Sequence, residues 1–194
     1  YKVLNGAQFY GSEEIKTVLS YLRMVYALSD MDFIWTIKRP RRGFGKKALD
    51  ALRSDAARKG ISLMEALGQQ IKSGAQGRVE VVRYYNEMME LHEKYQEYSC
   101  KDLIHMALDL GYRKELEQDV DQTRLDNVSE LIGVVAALEE ENQEKIPLDE
   151  LLSHFALFSM QDDDTDKDVV KVMTVHTAKG LEFDTVFVNG LVEG

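Results

Sequence analysis

The residues best suited to chemistry stand close together near the C-terminus, at positions 176–184. Lys179 supplies a point charge for a phosphate, and Gly180 lets a ligand approach the backbone. The carboxylate of Glu182 can accept a hydrogen bond from a sugar hydroxyl. A threonine hydroxyl or a neutral His176 can donate to a nucleic-acid phosphate. Taken one at a time, these residues fit a polar surface loop better, because lone Lys-Gly pairs are common.

Two short β-branched runs flank this segment, at residues 169–175 and 185–189. Both have the character of buried strands. A loop that follows a strand in an α/β sheet lies at the carboxyl edge of the sheet, where ligands bind. A third strand-like segment, residues 1–4, begins the chain. We expect all three strands to belong to one sheet, of which this chain holds only part.

A second candidate site is the basic cluster at residues 38–47, Lys-Arg-Pro-Arg-Arg-Gly-Phe-Gly-Lys-Lys. Its Gly-Phe-Gly step can turn backbone amides outward at a helix N-terminus, where the helix dipole also favours an anion. With the flanking Arg and Lys side chains, this arrangement suits a phosphate of duplex DNA, and the apolar Phe44 would plug inward. A helix-hairpin-helix-like element holds DNA in this way without reading its sequence. The residues alone leave a basic turn without a ligand equally open.

Several signatures of enzymes and metal proteins are absent from the sequence. Gly45-Lys46-Lys47 does not end a Walker A loop, because that motif needs Ser or Thr after the lysine. The Leu-Asp-Glu-Leu string at residues 148–151 falls inside an amphipathic helix and therefore does not serve as a Walker B strand end. No Cys/His cluster has metal-ligand spacing. The acidic run at residues 161–168 lacks the glycine and the terminal glutamate of an EF-hand loop, so we interpret it as a solvated linker and predict no metal site.

Size and charge narrow the class of protein. The 194 residues carry a net charge of −10, which argues against a general nucleic-acid binder, so any DNA contact must be local. No apolar run approaches the roughly 20 residues that span a bilayer, and no membrane partner is expected. The single Cys100 rules out an internal disulfide and suits a reducing, cytoplasmic compartment. The strand-like ends and the missing initial methionine indicate a piece of a longer protein.

Between the strand-like ends, the sequence predicts amphipathic helices whose apolar stripes share one core. Glycine, proline and capping residues predict where these helices begin and end. The predicted helices are one capped by Ser12, one at residues 32–38, one at residues 46–59 before Gly60, one with a Ser62/Glu65 capping box, one across residues 79–92, one across residues 103–108 before Gly111, one across residues 125–138 and one that starts near Pro147. The predicted fold class is therefore mainly α, a helical bundle insertion with a few strands at both termini.

Two strings resemble a family of DNA helicases. Residues 174–183, Thr-Val-His-Thr-Ala-Lys-Gly-Leu-Glu-Phe, closely resemble motif V of the UvrD/Rep/PcrA group of superfamily 1A. Residues 39–45 resemble the Pro-x-Arg-Gly-Ile-Gly element of the group's accessory domain 2B, with Phe44 in place of isoleucine. The resemblance extends over essentially the whole chain. It implies that residues 10–165 form the helical domain 2B, and that residues 1–9 and 166–194 are parts of the RecA-like α/β domain 2A.

The resemblance also implies roles for individual residues in both domains. In domain 2B, the residues that would hold phosphates of duplex DNA are Arg41, Arg42, Gly43, Gly45 and Lys46. In motif V, the residues that would contact the translocating single strand are Thr174 and His176. Lys179 and Gly180 would lie close to the nucleotide phosphates, and Glu182 would bond the ribose hydroxyl.

The parent implied by the resemblance is a bacterial, ATP-dependent 3′–5′ DNA helicase that uses ATP with Mg²⁺. Repair or replication proteins are its expected partners besides DNA. This chain lacks Walker A, Walker B and the arginine-bearing motif VI, so we predict that it holds no catalytic residues and neither hydrolyses ATP nor unwinds DNA alone. Two alternatives stay open: a protein-interaction or autoinhibitory helical module, and a helicase–nuclease relative of the RecB type.

Overall fold

The computed structural model describes residues 6–120, 122–142, 145–160 and 185–187. Ten α-helices make up most of this part of the chain. They are α1 (Gly6–Gly11), α2 (Glu13–Ala27), α3 (Asp30–Thr36), α4 (Lys46–Lys59), α5 (Leu63–Lys72), α6 (Val79–Lys94), α7 (Cys100–Asp109), α8 (Tyr112–Glu117), α9 (Thr123–Asn142) and α10 (Leu148–Met160). A short 3₁₀ helix, Tyr95–Glu97, follows α6 directly.

The bundle is built around α2, which packs against α1, α3, α6, α7, α9 and α10. Ile15, Leu22, Met24 and Val25 of α2 are completely buried. Burying one such side chain stabilises the fold by roughly 1.5–3 kcal/mol relative to leaving it exposed. Helix α2 therefore joins helices from both halves of the sequence in one core.

The apolar stripes predicted for the last two helices face the core. Val128, Leu131 and Val135 of α9 are buried, at the spacing of one helix face. Leu151 and Phe155 of α10 are buried as well, and α10 packs against α1 and α2. The prediction that these stripes form a core is confirmed.

Several predicted helix boundaries are confirmed. Helix α4 spans Lys46–Lys59, and Gly60 follows it with a φ of +66°, the left-handed conformation that favours glycine. Ser62 and Glu65 form the predicted capping box at the start of α5. Helix α7 ends at Asp109, shortly before Gly111, whose φ is +114°.

One predicted capping bond and one predicted boundary need correction. Ser12 stands at the N-cap of α2, but its hydroxyl donates to the Phe9 carbonyl at 2.8 Å and does not cap the helix. The helix predicted at residues 32–38 lies at Asp30–Thr36 instead. It starts earlier because the Ser29 side chain accepts from the Asp32 amide and acts as its N-cap.

The mainly helical class is confirmed, and no strand occurs among residues 6–120, 122–142, 145–160 and 185–187. Of the strand predicted at residues 185–189, only residues 185–187 are described; they are irregular, with Val186 and Phe187 exposed. The strands predicted at residues 1–4 and 169–175 lie outside the described residues. In the described part, no helix is both long enough and apolar enough to cross a membrane.

Candidate nucleic-acid interface

The basic turn, residues 38–47, comprises most of the connection from α3 to α4 and the first two residues of α4, and it presents positive charge at the surface. Its exposed cations are Lys38, Arg41, Lys46 and Lys47. None of these four has a carboxylate within 4.0 Å in the part of the chain that the structure describes. On a chain whose net charge is −10, the turn is thus a local patch of uncompensated positive charge.

Arg42 points the other way, into the bundle, and only 5% of it is exposed. Its Nη2 donates to the Leu110 carbonyl at 2.7 Å and to the Tyr21 hydroxyl at 2.8 Å. Its Nη1 donates to the Thr36 carbonyl at 2.8 Å, and the guanidinium lies 4.4 Å from the ring centre of Tyr84. This corrects the sequence-based assignment of Arg42 to the phosphate contacts, because its donors are already used inside the protein.

The buried hydroxyls around Arg42 form a connected network. Tyr21 donates its hydroxyl proton to the Arg39 carbonyl, while Thr36 and Tyr84 share a hydrogen bond of 2.7 Å between their hydroxyls. Burial raises the pKa of Tyr21 to about 12, against the opposing effect of the Arg42 charge. Burial also raises the pKa of Tyr84 above its usual range. Both phenols therefore stay neutral at physiological pH. Through Tyr21 and Tyr84, the network holds the two ends of the segment 36–42 against α2 and α6.

Arg39 is held at the side of the turn. Its Nη2 lies 2.7 Å from a carboxylate oxygen of Glu13, and its guanidinium lies 3.9 Å from the ring centre of Trp35. The indole nitrogen of Trp35 in turn donates to the Thr17 hydroxyl at 3.0 Å. Arg39 therefore anchors the start of the turn to α2 and α3, and it is a less available cation than Arg41.

The Gly-Phe-Gly step brings the chain from this anchor into α4. Gly43 has a φ of +68°, a conformation that L side chains rarely adopt. Phe44 is 4% exposed, so the prediction that it plugs inward is confirmed. Gly45 is the N-cap of α4, in an extended conformation with a φ of −80°. The inward Phe44 thus leaves the two flanking glycines, both exposed, at the surface.

The N-terminus of α4 is open. No side chain from the described ranges caps it, and its first turn contains no acidic residue. Among the described residues, no acceptor bonds to the first-turn amides of Lys46, Lys47 and Ala48. Free amides and the helix dipole favour an anion at this position, and the two lysines strengthen the same preference.

A cation from elsewhere in the chain joins the turn. The Arg78 guanidinium lies over Gly43, where an added Cβ would sit 3.6 Å from Nη1 of Arg78. Arg78 is the N-cap residue of α6, and it is exposed. Reasoning from the sequence could not find this proximity, because the two positions come together only through tertiary packing, in which α5 contacts α3, α4 and α6.

The predicted motif V residues lie outside the described residues; they are Thr174, His176, Lys179, Gly180 and Glu182. The predicted contacts to duplex DNA are among the described residues. Four of them are exposed at the basic turn: Arg41, Gly43, Gly45 and Lys46. Within the described ranges, no group of three or more His, Cys, Asp or Glu residues could hold a metal ion.

Comparison with known proteins gives a consistent result. The family model of the UvrD-like helicase C-terminal domain matches residues 1–194. The chain is 33% identical to the ATP-dependent DNA helicase PcrA of Bacillus subtilis and 32% identical to DNA helicase II of Escherichia coli, and all of it is covered in each case. It spans 28% of the length of these relatives. The chain therefore belongs to the UvrD-like helicase C-terminal domain family.

Proposed function

We propose that this chain is part of an ATP-dependent DNA helicase in which residues 10–165, as domain 2B, contact duplex DNA through the basic turn. One observation carries the proposal: an uncapped helix N-terminus with free amides is surrounded by exposed cations that have no carboxylate partner among the described residues. Two similar proteins are named as DNA helicases, which makes DNA the natural source of the anion.

In the proposed contact, a backbone phosphate of the duplex accepts from the first-turn amides of α4. Lys46 and Arg41 flank it with positive charge, and Gly43 and Gly45 place no side chain between the phosphate and the backbone. Every nucleotide has the same phosphate, so this contact does not depend on base sequence. Arg42 acts indirectly, since its bonds to Thr36 and Leu110 fix the turn that carries these groups.

The motif V residues have a separate proposed role, which rests on the resemblance and on family membership. We assign Thr174 and His176 to single-stranded DNA, and Lys179, Gly180 and Glu182 to ATP, which the parent would use with Mg²⁺. The 194 residues contain no Walker A string, so we propose that this chain alone does not hydrolyse ATP. ATP turnover by a purified preparation, lost on Lys179→Ala, would overturn that part of the proposal.

The test of the duplex contact compares the two ends of α4. Arg41→Ala/Lys46→Ala removes two cations at the open end. Its matched control, Arg58→Ala/Lys59→Ala, removes two cations at the opposite end, where both pair with Asp55. The two ends are separated by roughly 20 Å along the helix axis. Binding of a random-sequence duplex is measured by fluorescence anisotropy across a series of salt concentrations.

The first double variant should lower the slope of log affinity against log salt by about two units, one for each lost phosphate contact. The control should leave that slope unchanged. Equal slopes in both variants would remove the basic turn from the proposal.

The alternative, a protein-interaction module, is favoured by one surface feature. A groove of about 270 Å³ lies between α6 and α7, and its apolar wall includes Leu91, Tyr98 and Met106. Two rim carboxylates, however, already pair with nearby cations, Glu90 with Lys94 of the same helix and Asp109 with Arg113 of α8. The groove therefore offers little free charge to a partner. Two results together would favour this alternative. The variant Arg41→Ala/Lys46→Ala would still bind a repair or replication protein, and the unsubstituted chain would not bind duplex DNA.

A further inference from the structure

We propose that Arg78, at the start of α6, is a further contact to duplex phosphate and extends the binding surface beyond the basic turn. This inference rests on the proposed function of the turn. The inference starts from where the Arg78 side chain lies. It crosses Gly43: a Cβ added at Gly43 would be 4.0 Å from the Cδ and 3.6 Å from the Nη1 of Arg78. The guanidinium thus lies beside the glycine that opens the turn.

The pairing of the chain's arginines separates Arg78 from most others. All ten arginines lie among the described residues, and seven of them have a carboxylate oxygen within 4.0 Å. The three without such a partner in the described residues are Arg41, Arg42 and Arg78. All three meet at the basic turn, although they come from two separate stretches of sequence. Arg42 is buried, which leaves Arg41 and Arg78 as the exposed, unpaired guanidinium groups.

The backbone of Arg78 is hydrogen-bonded, whereas its guanidinium has no hydrogen-bond or ion-pair partner among the described residues. Its amide donates to the Gln76 side chain at 3.0 Å, and its carbonyl accepts from the Val81 and Val82 amides at 3.0 and 2.9 Å. No hydrogen bond or ion pair involves its guanidinium within the described part of the chain. A side chain with a fixed base and free donors suits a phosphate, which a guanidinium can bind with two parallel hydrogen bonds.

This placement gives the surface a second element. The turn contributes groups from the α3–α4 connection, and Arg78 contributes a charge from α6, which packs on α5. A duplex backbone that meets the amides of α4 would therefore find a second cation across Gly43. Contacts from two elements fix the orientation of a duplex better than contacts from one, because a single point allows rotation about itself.

The experiment uses Arg78→Ala in the full chain, with Arg83→Ala as the matched control. Arg83 lies on the same helix, but it forms ion pairs with Glu80 at 2.9 Å and with Glu87 at 4.0 Å. Arg78→Ala should reduce the salt slope of duplex binding by about one unit. The loss of affinity between about 50 and 200 mM salt should then shrink by a factor of about three to four. Arg83→Ala should change neither quantity.

Arg78→Lys provides a second readout. Lysine keeps the charge but not the planar fork, so the salt slope should be retained while affinity at fixed salt falls. The melting temperature of Arg78→Ala should stay close to that of the unsubstituted chain, because the exposed guanidinium makes no hydrogen bond or ion pair among the described residues.

Two outcomes are decisive against the inference, and they differ in what else they affect. If Arg78→Ala matches Arg83→Ala while Arg41→Ala/Lys46→Ala still loses binding, only the role of Arg78 is overturned. If none of these variants alters duplex binding, the proposed function of the basic turn falls as well.

Discussion

Two successive helices, α4 and α5, begin in opposite ways. At α5, the Ser62 side chain accepts from the Glu65 amide at 3.2 Å, and the Glu65 carboxylate accepts from the Ser62 amide at 2.9 Å. At α4, the N-cap is Gly45, and no side chain in the described part of the chain bonds to the first-turn amides. The first turn carries two lysines instead of an acid. At α5 the chain itself supplies acceptors for the N-terminal amides, whereas at α4 the first-turn amides have no acceptor among the described residues.

The difference separates stability from binding. A capped terminus stabilises the helix because its orphan amides are satisfied within the chain. An open terminus with adjacent lysines gives up that stabilisation and keeps a positive potential at the surface. The open end of α4 is held in place by other means, chiefly the buried Phe44 and the Arg42 network. The comparison predicts that substitutions at the two helix starts alter different properties.

The largest expected effect concerns the adjacent arginines of the turn. Arg42→Met should destabilise the chain by roughly 3 kcal/mol, because the Leu110 and Thr36 carbonyls lose buried donors. Arg41→Met should stay within about 0.5 kcal/mol of the parent, since Arg41 is exposed. Urea unfolding followed by circular dichroism measures both values.

Duplex binding should show the reverse order at a temperature where both variants are folded. Arg41→Met should lower the salt slope by about one unit. Arg42→Met should lower affinity at a fixed salt concentration but leave the salt slope, which counts the phosphate contacts, nearly unchanged. An Arg42→Met variant with the parent's unfolding midpoint would contradict the buried network.

A smaller effect is expected at the capped terminus. Ser62→Ala should destabilise the chain by about 1 kcal/mol, the usual loss on removing a serine N-cap. Duplex binding should be unchanged, because the start of α5 is not part of the basic turn to which the duplex contact is assigned. Urea unfolding and duplex titration of the same preparation would test both statements, and weaker binding would show that the two helix starts are not independent.

The capping box also predicts a dependence on pH. The backbone amide of Ser62, and then its hydroxyl, hold the pKa of Glu65 below its ordinary value of 4.5. The contribution of this carboxylate to stability is therefore present above pH 4.5 and is lost as the pH falls through the lowered pKa. The difference in unfolding midpoint between the parent and Glu65→Gln should shrink over that acidic range.

Local sequence signals were sufficient for the features that depend on neighbouring residues. The Ser62/Glu65 box, the left-handed Gly60 and the inward Phe44 each follow from residues within one or two turns of a helix. The Ser12 cap failed because a competing acceptor, the Phe9 carbonyl, was three residues away.

Local sequence signals could not predict which arginine side chains point into the bundle and which point to solvent. Arg41 and Arg42 are identical neighbours in a loop. Distant acceptors decide which one turns inward, among them the Tyr21 hydroxyl and the Leu110 carbonyl, which is 68 residues further along the chain from Arg42. The proximity of Arg78 to Gly43 likewise depends on the packing of α5 and α6. Side-chain direction in a loop is set by tertiary contacts, which neither periodicity nor composition reports.

The smallest change in stability, and the sharpest test of the comparison, comes from giving α4 the cap that it lacks. Gly45 has the extended conformation of an N-cap, and an added Cβ would have nothing within 4 Å. Gly45→Asn should stabilise the chain by a few tenths of a kcal/mol, because its side chain can accept from the amides of Lys47 or Ala48. It should also weaken duplex binding, since those amides are then occupied. Gly45→Ala adds bulk without an acceptor, so it should bind more tightly than Gly45→Asn. Equal binding by Gly45→Asn and the parent would mean that the open amides of α4 do not hold the phosphate, and that the exposed cations act alone.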